Sequence, residues 1–232
     1  MIMKTKILFE DQALLVIHKP AGIAVQSARV GQMDVESELR NYLAAAARKS
    51  GTSPYIGLIH RLDQPVEGLL VVAKTKDAAA KLNKQLTEGS LNKKYLAVVS
   101  VEGNRIKDTG DFTDYLLKDG QVAKVVASNT AEAKEARLHY SLLKRLDNTA
   151  LADVEIETGR FHQIRCQMSH HSMPLLGDAK YASATSAAIS QQSGIRNVAL
   201  CANRIAFKHP VTGKFMTFEV QPANSAFAPF YQ

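Results

Sequence analysis

The sequence has little cysteine and no long apolar run, and each shortage excludes a class of protein. Two cysteines, Cys166 and Cys201, occur in 232 residues. They are too few and too far apart for a disulfide framework or a Cys-x-x-Cys metal site, and the apolar surroundings of Cys166 are typical of a buried free thiol. No stretch approaches the roughly 20 consecutive apolar residues of a membrane-spanning helix. The first residues turn acidic too early for a secretory signal, so the sequence favours a cytoplasmic protein that binds no membrane.

Several short motifs with known chemistry are also missing. The chain contains neither a phosphate-binding P-loop nor a dinucleotide fingerprint after a strand, and it has no nucleophile elbow for hydrolase chemistry. His162, His170 and His171 lack the spacing and the companion ligands of a zinc site. We find no internal repeat, linker or low-complexity tail. These absences predict a protein without metal or cofactor, folded as a single domain over residues 1–232, and nothing in the sequence requires more than a monomer.

The charge balance indicates an anionic partner. The formal net charge is +7, while the hydrophobic and charged fractions, 46% and 22%, are ordinary for a globular protein. Nucleic acid is the first candidate for such a partner. A solvated basic surface is the alternative, and charge alone leaves the two interpretations equal.

Hydrophobic periodicity predicts a mixture of strands and helices. Residues 103–131 are polar and rich in turn residues, which predicts an irregular and variable segment, and residues 182–194 predict a loop or a weak helix. The predicted strands are two short ones within 5–17 and others at 69–73, 91–101, 137–146, 151–157, 198–206 and 214–220, and the predicted helices are 37–49, 75–86 and 161–170.

The most informative segment is residues 60–74, HRLDQPVEGLLVVAK. Arg61 and Asp63 stand just before an apolar run that is typical of a buried strand, and Pro65 and Gly68 indicate a turn between them. A loop that leads into a buried strand holds ionisable groups rigidly at the edge of a core, where an active site can form.

A second segment, TGRFHQIRCQM at 158–168, has the same layout with Arg160, His162 and Arg165. Asp63 in the first segment and several cations in both segments suggest chemistry on an anionic substrate.

A series of segments along the chain resembles, in the same order, those of the RluA-type pseudouridine synthases. HRLDQPVEGLL and ETGRFHQIR resemble the family's His-Arg-Leu-Asp and Thr-Gly-Arg-x-His-Gln-Ile-Arg motifs. The other matching segments are ILFEDQALLVIHKPAGIAV, LNKKYLAVV, and the closing stretches MPLLGDAKY and IAFKHPVTGKFMTFE. Single motifs match by chance, whereas ordered matches over nearly the whole chain are specific.

The resemblance implies a fold and a reaction. The fold is the α+β pseudouridine synthase fold, a mixed and largely antiparallel sheet with flanking helices and a central cleft for RNA. The reaction converts uridine in a structured ribosomal or transfer RNA to pseudouridine, which breaks the bond from ring nitrogen to ribose, rotates the base and rejoins it through carbon. It requires no redox change, so no cofactor is expected. The catalytic domain is expected to begin directly at the N-terminus, without the small RNA-binding domain that some relatives carry.

Three residues are expected to be catalytic. The resemblance implies that Asp63 is the nucleophile, which attacks the ribose, attacks the ring or abstracts a ribose proton. It also implies that Arg165 pairs with Asp63, keeping that acid ionised and oriented. Tyr95 matches the family's active-site tyrosine, which can stack on uracil or relay a proton. On the residues alone, a salt-bridged Asp63, a solvent-facing Arg165 and a half-buried strand Tyr95 are the alternatives.

Other residues are expected to contact the RNA. Arg61 can fill the space that a flipped base leaves, or grip a flanking phosphate. Ile164 matches an apolar position that packs against the base, although a core position is equally compatible. Arg160 can contact phosphate, whereas His60 and His162 are expected to be structural. A lysine cluster either meets RNA phosphates or forms a solvated helix face, and it consists of Lys74, Lys76, Lys81, Lys84, Lys93 and Lys94.

The chain departs from the family pattern at a few positions. Val66 and Glu67 replace a small polar pair, Phe161 replaces a common threonine, and His18 replaces an asparagine. Glu67 could raise the pKa of Asp63 if it points inward and would do nothing if it points to solvent. A non-catalytic RNA-binding protein or RNA chaperone with this fold is therefore the main alternative, and a basic structural protein with another acidic partner is a weaker one.

Overall fold

The computed structural model describes residues 3–27, 31–47, 54–101 and 106–231. The chain divides into two compact units, which are described separately. The first comprises residues 1–93 and 202–221, and the second comprises residues 94–201 and 222–232. The expectation of a single domain over residues 1–232 stays a prediction.

The described elements are numbered in chain order. The strands are β1 (Lys6–Glu10), β2 (Leu14–Lys19), β3 (Gly57–Leu58), β4 (Glu67–Ala73), β5 (Asn92–Ser100), β6 (Thr109–Asp119), β7 (Val122–Val126), β8 (Lys134–Leu146), β9 (Thr149–Ile156), β10 (Leu200–Lys208) and β11 (Phe215–Glu219). The helices are α1 (Val35–Ala47), α2 (Lys76–Thr87), α3 (Gln163–His170) and α4 (Ala184–Gln192), followed by a 3-10 helix, Ser225–Tyr231.

The first unit is a sheet in the order β1-β2-β4-β10, with β3 also on β4 and β11 on β10. Every residue of β4 is buried, as its continuous apolar sequence predicts. Helix α2 covers this sheet. Its N-cap, Thr75, accepts a hydrogen bond from the Ala78 amide at 3.1 Å, and Leu82 packs with Leu69 and Phe207 in the core.

Gly68 is required where β4 approaches β10. Its φ of +134° is unfavourable for residues with a side chain, and a Cβ atom there would lie 2.4 Å from the backbone nitrogen of Ala202. The turn residue before the predicted strand is therefore also a point of close backbone approach between β4 and β10.

The second unit is an antiparallel sheet in the order β5-β9-β8-β6-β7, in which β5 neighbours β9 and β6 neighbours β8. Its core includes Leu116, Ala123, Ala136 and Cys166, the last from helix α3. Both cysteines are buried thiols. Burial raises the pKa of the Cys166 thiol to about 11, so it stays protonated and inert at neutral pH.

The α+β class and the largely antiparallel sheet are confirmed, while the central cleft stays a prediction. The expectation of an irregular segment over 103–131 was wrong, because strands β6 and β7 form a hairpin there, with Gly120 at φ +55° in its turn.

Residues 102–105 and 48–53, which include the expected end of the first helix, lie outside the described residues. No helix in the described part of the chain is long and apolar enough to cross a membrane.

Candidate active site

In the first unit, a buried lysine ties the Lys-Pro-Ala-Gly turn to the Asp63 loop. Lys19, at the end of β2, is fully buried. Its ammonium donates hydrogen bonds to the carbonyl oxygens of Pro20 at 3.0 Å, Ile23 at 2.8 Å and Gln64 at 3.2 Å. The Gln64 carbonyl also accepts from the Gly22 amide at 2.8 Å. The partly buried Asp63 is thus anchored through the residue that follows it.

Lys19 also sets the local electrostatics. Burial lowers its pKa from 10.5 to about 8, although the negative charges of Asp63 and Glu67 act in the opposite direction. The Lys19 ammonium is thus a fixed charge beside the loop that carries the expected nucleophile. Sequence reasoning missed Lys19, because a lysine beside a Pro-Gly turn gives no sign that it will be buried.

The low pKa of Lys19 predicts a pH dependence of stability. Below pH 8 the amine is charged in both the folded and the unfolded chain. Between pH 8 and 10.5 the unfolded chain binds more protons, so the free energy of unfolding rises with pH, by up to roughly 3 kcal/mol for a shift of this size. Denaturant titrations at several pH values should show this rise in the wild type and not in Lys19→Met. Equal pH slopes in both proteins would contradict it.

Glu67 points inward. It is 2% exposed, and its Oε2 lies 4.0 Å from Nε2 of His18 on β2. Burial lowers the pKa of His18, while the Glu67 charge acts to raise it. Two positions where the chain departs from the family pattern therefore face each other as a potential ion pair.

The other two charged or polar residues of the first motif differ in burial, since one lies in the core and one on the surface. His60 is buried, and its Nε2 accepts a hydrogen bond from the Val71 amide at 3.4 Å. Burial lowers its pKa to about 3, so the ring is neutral and structural. Arg61, in contrast, is exposed, which suits the expected contact with RNA.

Most of the lysine cluster is paired with acids. Lys74 contacts Glu10 at 2.6 Å, Lys81 contacts Asp77 at 2.9 Å and Lys84 contacts Glu88 at 3.7 Å. In the second unit, Lys94 pairs with Glu155 and lies 3.7 Å from Asp153. These pairs favour the solvated-face interpretation for much of the cluster. The expected RNA contacts of Lys93, whose pKa burial lowers, and of Lys94 stay predictions.

In the second unit, Arg165 is held by an acid that the sequence did not single out. Arg165 on α3 is 3% exposed and Asp178 is 2% exposed. The guanidinium binds this carboxylate at two points, from Nε to Oδ2 at 2.7 Å and from Nη2 to Oδ1 at 2.8 Å. The alternative of a solvent-facing Arg165 was therefore wrong. A bidentate pair of this kind fixes the plane of the guanidinium.

The turn that carries Asp178 is itself tightly fixed. Gly177 has φ +71°, and a Cβ atom there would lie 2.1 Å from the carbonyl oxygen of Asn197. The Gly177 amide donates to the hydroxyl of Ser190 on α4 at 2.8 Å. Helix α4, capped by Ser183, thereby supports the turn through a buried hydroxyl.

Gln163 organises the start of α3. Its Oε1 accepts from the Thr158 hydroxyl at 2.8 Å and from the Arg160 amide at 3.0 Å, and its Nε2 donates to the Arg137 carbonyl at 3.0 Å. The helix begins at Gln163 rather than at residue 161. This network gives the Thr-Gly-Arg-x-His-Gln sequence a structural purpose.

The remaining candidates, Tyr95, Ile164 and Arg160, all lie in the second unit. Tyr95 is 5% exposed on β5 opposite Val154, and Ile164 is 5% exposed on α3. The exposed Arg160 donates from Nε to the Glu135 carbonyl at 2.9 Å. Because Asp63 belongs to the first unit and Arg165 to the second, their pairing stays a prediction, as does the catalytic role of Tyr95.

Among the described residues, one group has the ligand types of a metal site. Asp114, His170 and His171 offer ligand atoms within 4.8 Å of one another. Nε2 of His171 lies 3.0 Å from Oδ2 of Asp114, which also accepts from Gln167 at 2.8 Å. Hydrogen bonds within the fold therefore already occupy this carboxylate, and the expectation that the site needs no metal stays a prediction.

A chelator experiment tests that expectation. Protein dialysed against a strong chelator and then returned to metal-free buffer should retain full activity on separately folded RNA, because the proposed reaction uses only side chains. The measurement is the initial rate of pseudouridine formation. A loss that Zn²⁺ restores in the wild type, and not in His171→Ala, would assign the Asp114 group a role.

Comparison with known proteins identifies the class. The profile of the RNA pseudouridylate synthase family matches residues 13–170, a span that includes the Asp63 loop, Tyr95 and Arg165. The chain belongs to this family of isomerases that act on RNA.

Individual relatives extend the match. The ribosomal large subunit pseudouridine synthase D of Zymomonas mobilis is 34% identical over 226 residues, covering 93% of this chain and 68% of the relative. The uncharacterized RNA pseudouridine synthase YlyB of Bacillus subtilis is 33% identical and covers 94% and 69%. Human RNA pseudouridylate synthase domain containing 4 has the same fold, with a TM-score of 0.74 at 23% identity, covering 94% of this chain and 89% of that one. Other curated relatives are longer still, and the chain spans 61% of one from Nitrosomonas europaea.

Proposed function

We propose that this chain converts uridine to pseudouridine in large-subunit ribosomal RNA, with Asp63 as the nucleophile. Relatives named for that RNA, aligned over about nine tenths of the chain, support the choice of substrate. Transfer RNA is the other candidate substrate. The protein acts as a cytoplasmic monomer without a cofactor.

The observation that carries the proposal is the anchoring of Asp63. Asp63 lies in the chain between the buried residues Leu62 and Val66, and the Val66 amide donates to the Asp63 backbone carbonyl at 3.1 Å. The hydrogen bonds of Lys19 fix the next residue. A nucleophile held in one place before the substrate arrives loses little freedom in the reaction, and that is a large part of catalysis by positioning.

The reaction that this site would support is internally balanced. The bond from ring nitrogen to ribose breaks and a bond from ring carbon to ribose forms. The ring nitrogen ends with the proton that the carbon gives up, so no electrons enter or leave. Asp63 can divide this change into two easier steps, while Arg165, oriented by Asp178, and Tyr95 assist at the carboxylate and the base.

Arg61 supports the recognition of structured RNA. A base within a folded RNA must leave its stack before a half-buried carboxylate can reach it. Arg61 is exposed two residues from Asp63, where its guanidinium can occupy the vacated space. Ile164, Arg160, Lys93 and Lys94 are the further proposed RNA contacts.

Mapping of pseudouridine in total RNA tests the proposal. Cells with and without the gene are compared, and the deletion strain is complemented with the wild-type chain. We expect one or more ribosomal RNA sites to disappear on deletion and to return on complementation. Sites lost only from transfer RNA would correct the substrate. Unchanged RNA, together with salt-sensitive RNA binding by the purified protein, would favour the non-catalytic alternative.

A further inference from the structure

Phe161 is a large apolar side chain that stays exposed beside the second motif. It is 39% exposed and lies two residues before helix α3. A single exposed apolar residue is common on protein surfaces. The groups that surround this ring, all within the second unit, are what distinguish it.

A buried histidine supports one face of the ring. The rings of Phe161 and His162 are stacked, with centroids 3.8 Å apart and planes 20° apart. His162 is 8% exposed, and its Nδ1 lies 2.8 Å from the Tyr181 hydroxyl, which accepts from the Ala123 amide at 2.6 Å. The Phe161 ring therefore rests on a fixed support.

The backbone of His162 adds to this fixation. Its φ of 54° and ψ of 25° place a non-glycine residue in the left-handed region. Such strain persists only where the surroundings enforce it, and it is concentrated at functional sites. The imidazole is held in place by its contacts with Phe161 and Tyr181, and the phenylalanine beside it is exposed.

One cation contacts the exposed ring, and two others lie on neighbouring segments. The Lys118 ammonium lies 5.1 Å from the Phe161 centroid, and the stacked imidazole already fills one face, so this ammonium lies over the other. Lys118 is exposed near the tip of the β6–β7 hairpin. Lys180 donates to the Gln121 carbonyl in the same hairpin at 2.6 Å, and the exposed Arg160 adjoins Phe161 in the chain.

We propose that Phe161 is a stacking site for an unpaired nucleobase of the substrate RNA, with Lys118 contacting a neighbouring phosphate. This inference rests on the proposed function. An aromatic ring among cations is the arrangement with which proteins bind single-stranded RNA.

The base exchanges places with the ammonium. Lys118 leaves the ring for a phosphate, and the base covers the face that it exposes. A stacked base is worth more than an exposed cation–π contact. Because His162 already holds the ring in place, little freedom is lost when the base arrives.

Two substitutions at Phe161 distinguish an effect of base stacking on RNA affinity from an effect of apolar side-chain volume. Phe161→Tyr keeps an aromatic ring, whereas Phe161→Leu keeps an apolar side chain without one. We expect Phe161→Leu to lower the affinity for the substrate RNA by roughly tenfold and Phe161→Tyr to leave it near the wild-type value. Phe215→Leu, which changes a phenylalanine that is 66% exposed in the other unit, should have no effect. Thermal melts show that each variant is folded.

A fluorescent base reports stacking directly. The RNA carries 2-aminopurine beside the target uridine, and stacking on an aromatic ring quenches its emission. Wild type and Phe161→Tyr should quench it, and Phe161→Leu should not. In the same RNA, Lys118→Ala should lower the slope of log affinity against log salt by about one, and an unchanged slope would remove Lys118 from the inference.

The outcomes distinguish this inference from the proposed function. If Phe161→Leu binds and modifies RNA as the wild type does, the stacking site is wrong and the proposed function stands. An equal loss in Phe215→Leu would also overturn it, since the effect would then not be specific to this ring. Failure of the wild type to form pseudouridine in any RNA would overturn the proposed function, and the binding and quenching data would still decide the role of Phe161.

Discussion

Asp63→Asn should lower the rate of pseudouridine formation by at least about a thousandfold, because an amide cannot act as the nucleophile. The substitution keeps the shape of the side chain and leaves the Lys19 hydrogen bonds in place. Purified wild type and variant are compared in single-turnover assays on the same ribosomal RNA fragment. Affinity for that RNA and the melting temperature should change little.

The RNA-binding measurement makes this result specific. Loss of activity with unchanged affinity assigns Asp63 to the chemical step. Turnover above a trace would remove Asp63 from that role. Loss of affinity in parallel with activity would instead make it a binding residue. Arg61→Ala is the matched comparison from the same loop, and it should weaken binding without abolishing the reaction of bound RNA.

Asp178→Ala should be the most destabilising of the substitutions considered. It leaves the Arg165 guanidinium buried without the carboxylate that binds two of its nitrogen atoms. Breaking a buried ion pair from one side costs about 3–5 kcal/mol. The free energy of unfolding from denaturant titration measures this cost. At temperatures where the variant is folded, its activity should also fall, because Arg165 is no longer held in one orientation.

A surface pair in the same unit provides the control. Glu155→Ala removes one carboxylate from Lys94, whose side chain is 34% exposed, and exposed pairs contribute only about 0–1 kcal/mol. An Asp178→Ala effect as small as that of Glu155→Ala would show that the buried pair does not hold the turn. Asp178→Asn, which keeps a hydrogen-bond acceptor without the charge, should fall between the two.

Sequence patterns predicted the parts of the fold in which apolar periodicity is strong. The run at 69–72 became part of β4, in which burial is continuous, and the capped segment after Thr75 became α2, whose buried residues recur at helical spacing. The β6–β7 hairpin was missed because few of its residues are fully buried, and the first part of β6 alternates between exposed and half-buried residues. In the sequence, turn residues and charges therefore indicated irregular structure more strongly than the weak two-residue alternation indicated strands.

The sequence predicted only part of the candidate site, for a related reason. Motifs identify residues whose chemistry is conspicuous, such as Asp63 and Arg165. They do not identify partners that act through burial, since Lys19 and Asp178 become important only when the chain brings carbonyls or a guanidinium to them. Helix α4 was equally hard to interpret, because its contribution comes from the hydroxyls of Ser186 and Ser190 and not from an apolar face.

The glycine before Asp178 has a consequence for the evolution and engineering of this chain. A single methyl group at Gly177 would collide with the Asn197 carbonyl, so any replacement requires the segment around residue 197 to be rebuilt at the same time. This fold therefore cannot accommodate a substitution at Gly177 unless the segment around residue 197 changes with it. A library that varies residues 175–181 should therefore hold position 177 constant, and a lineage that had lost this glycine would be expected to carry a different loop near residue 197.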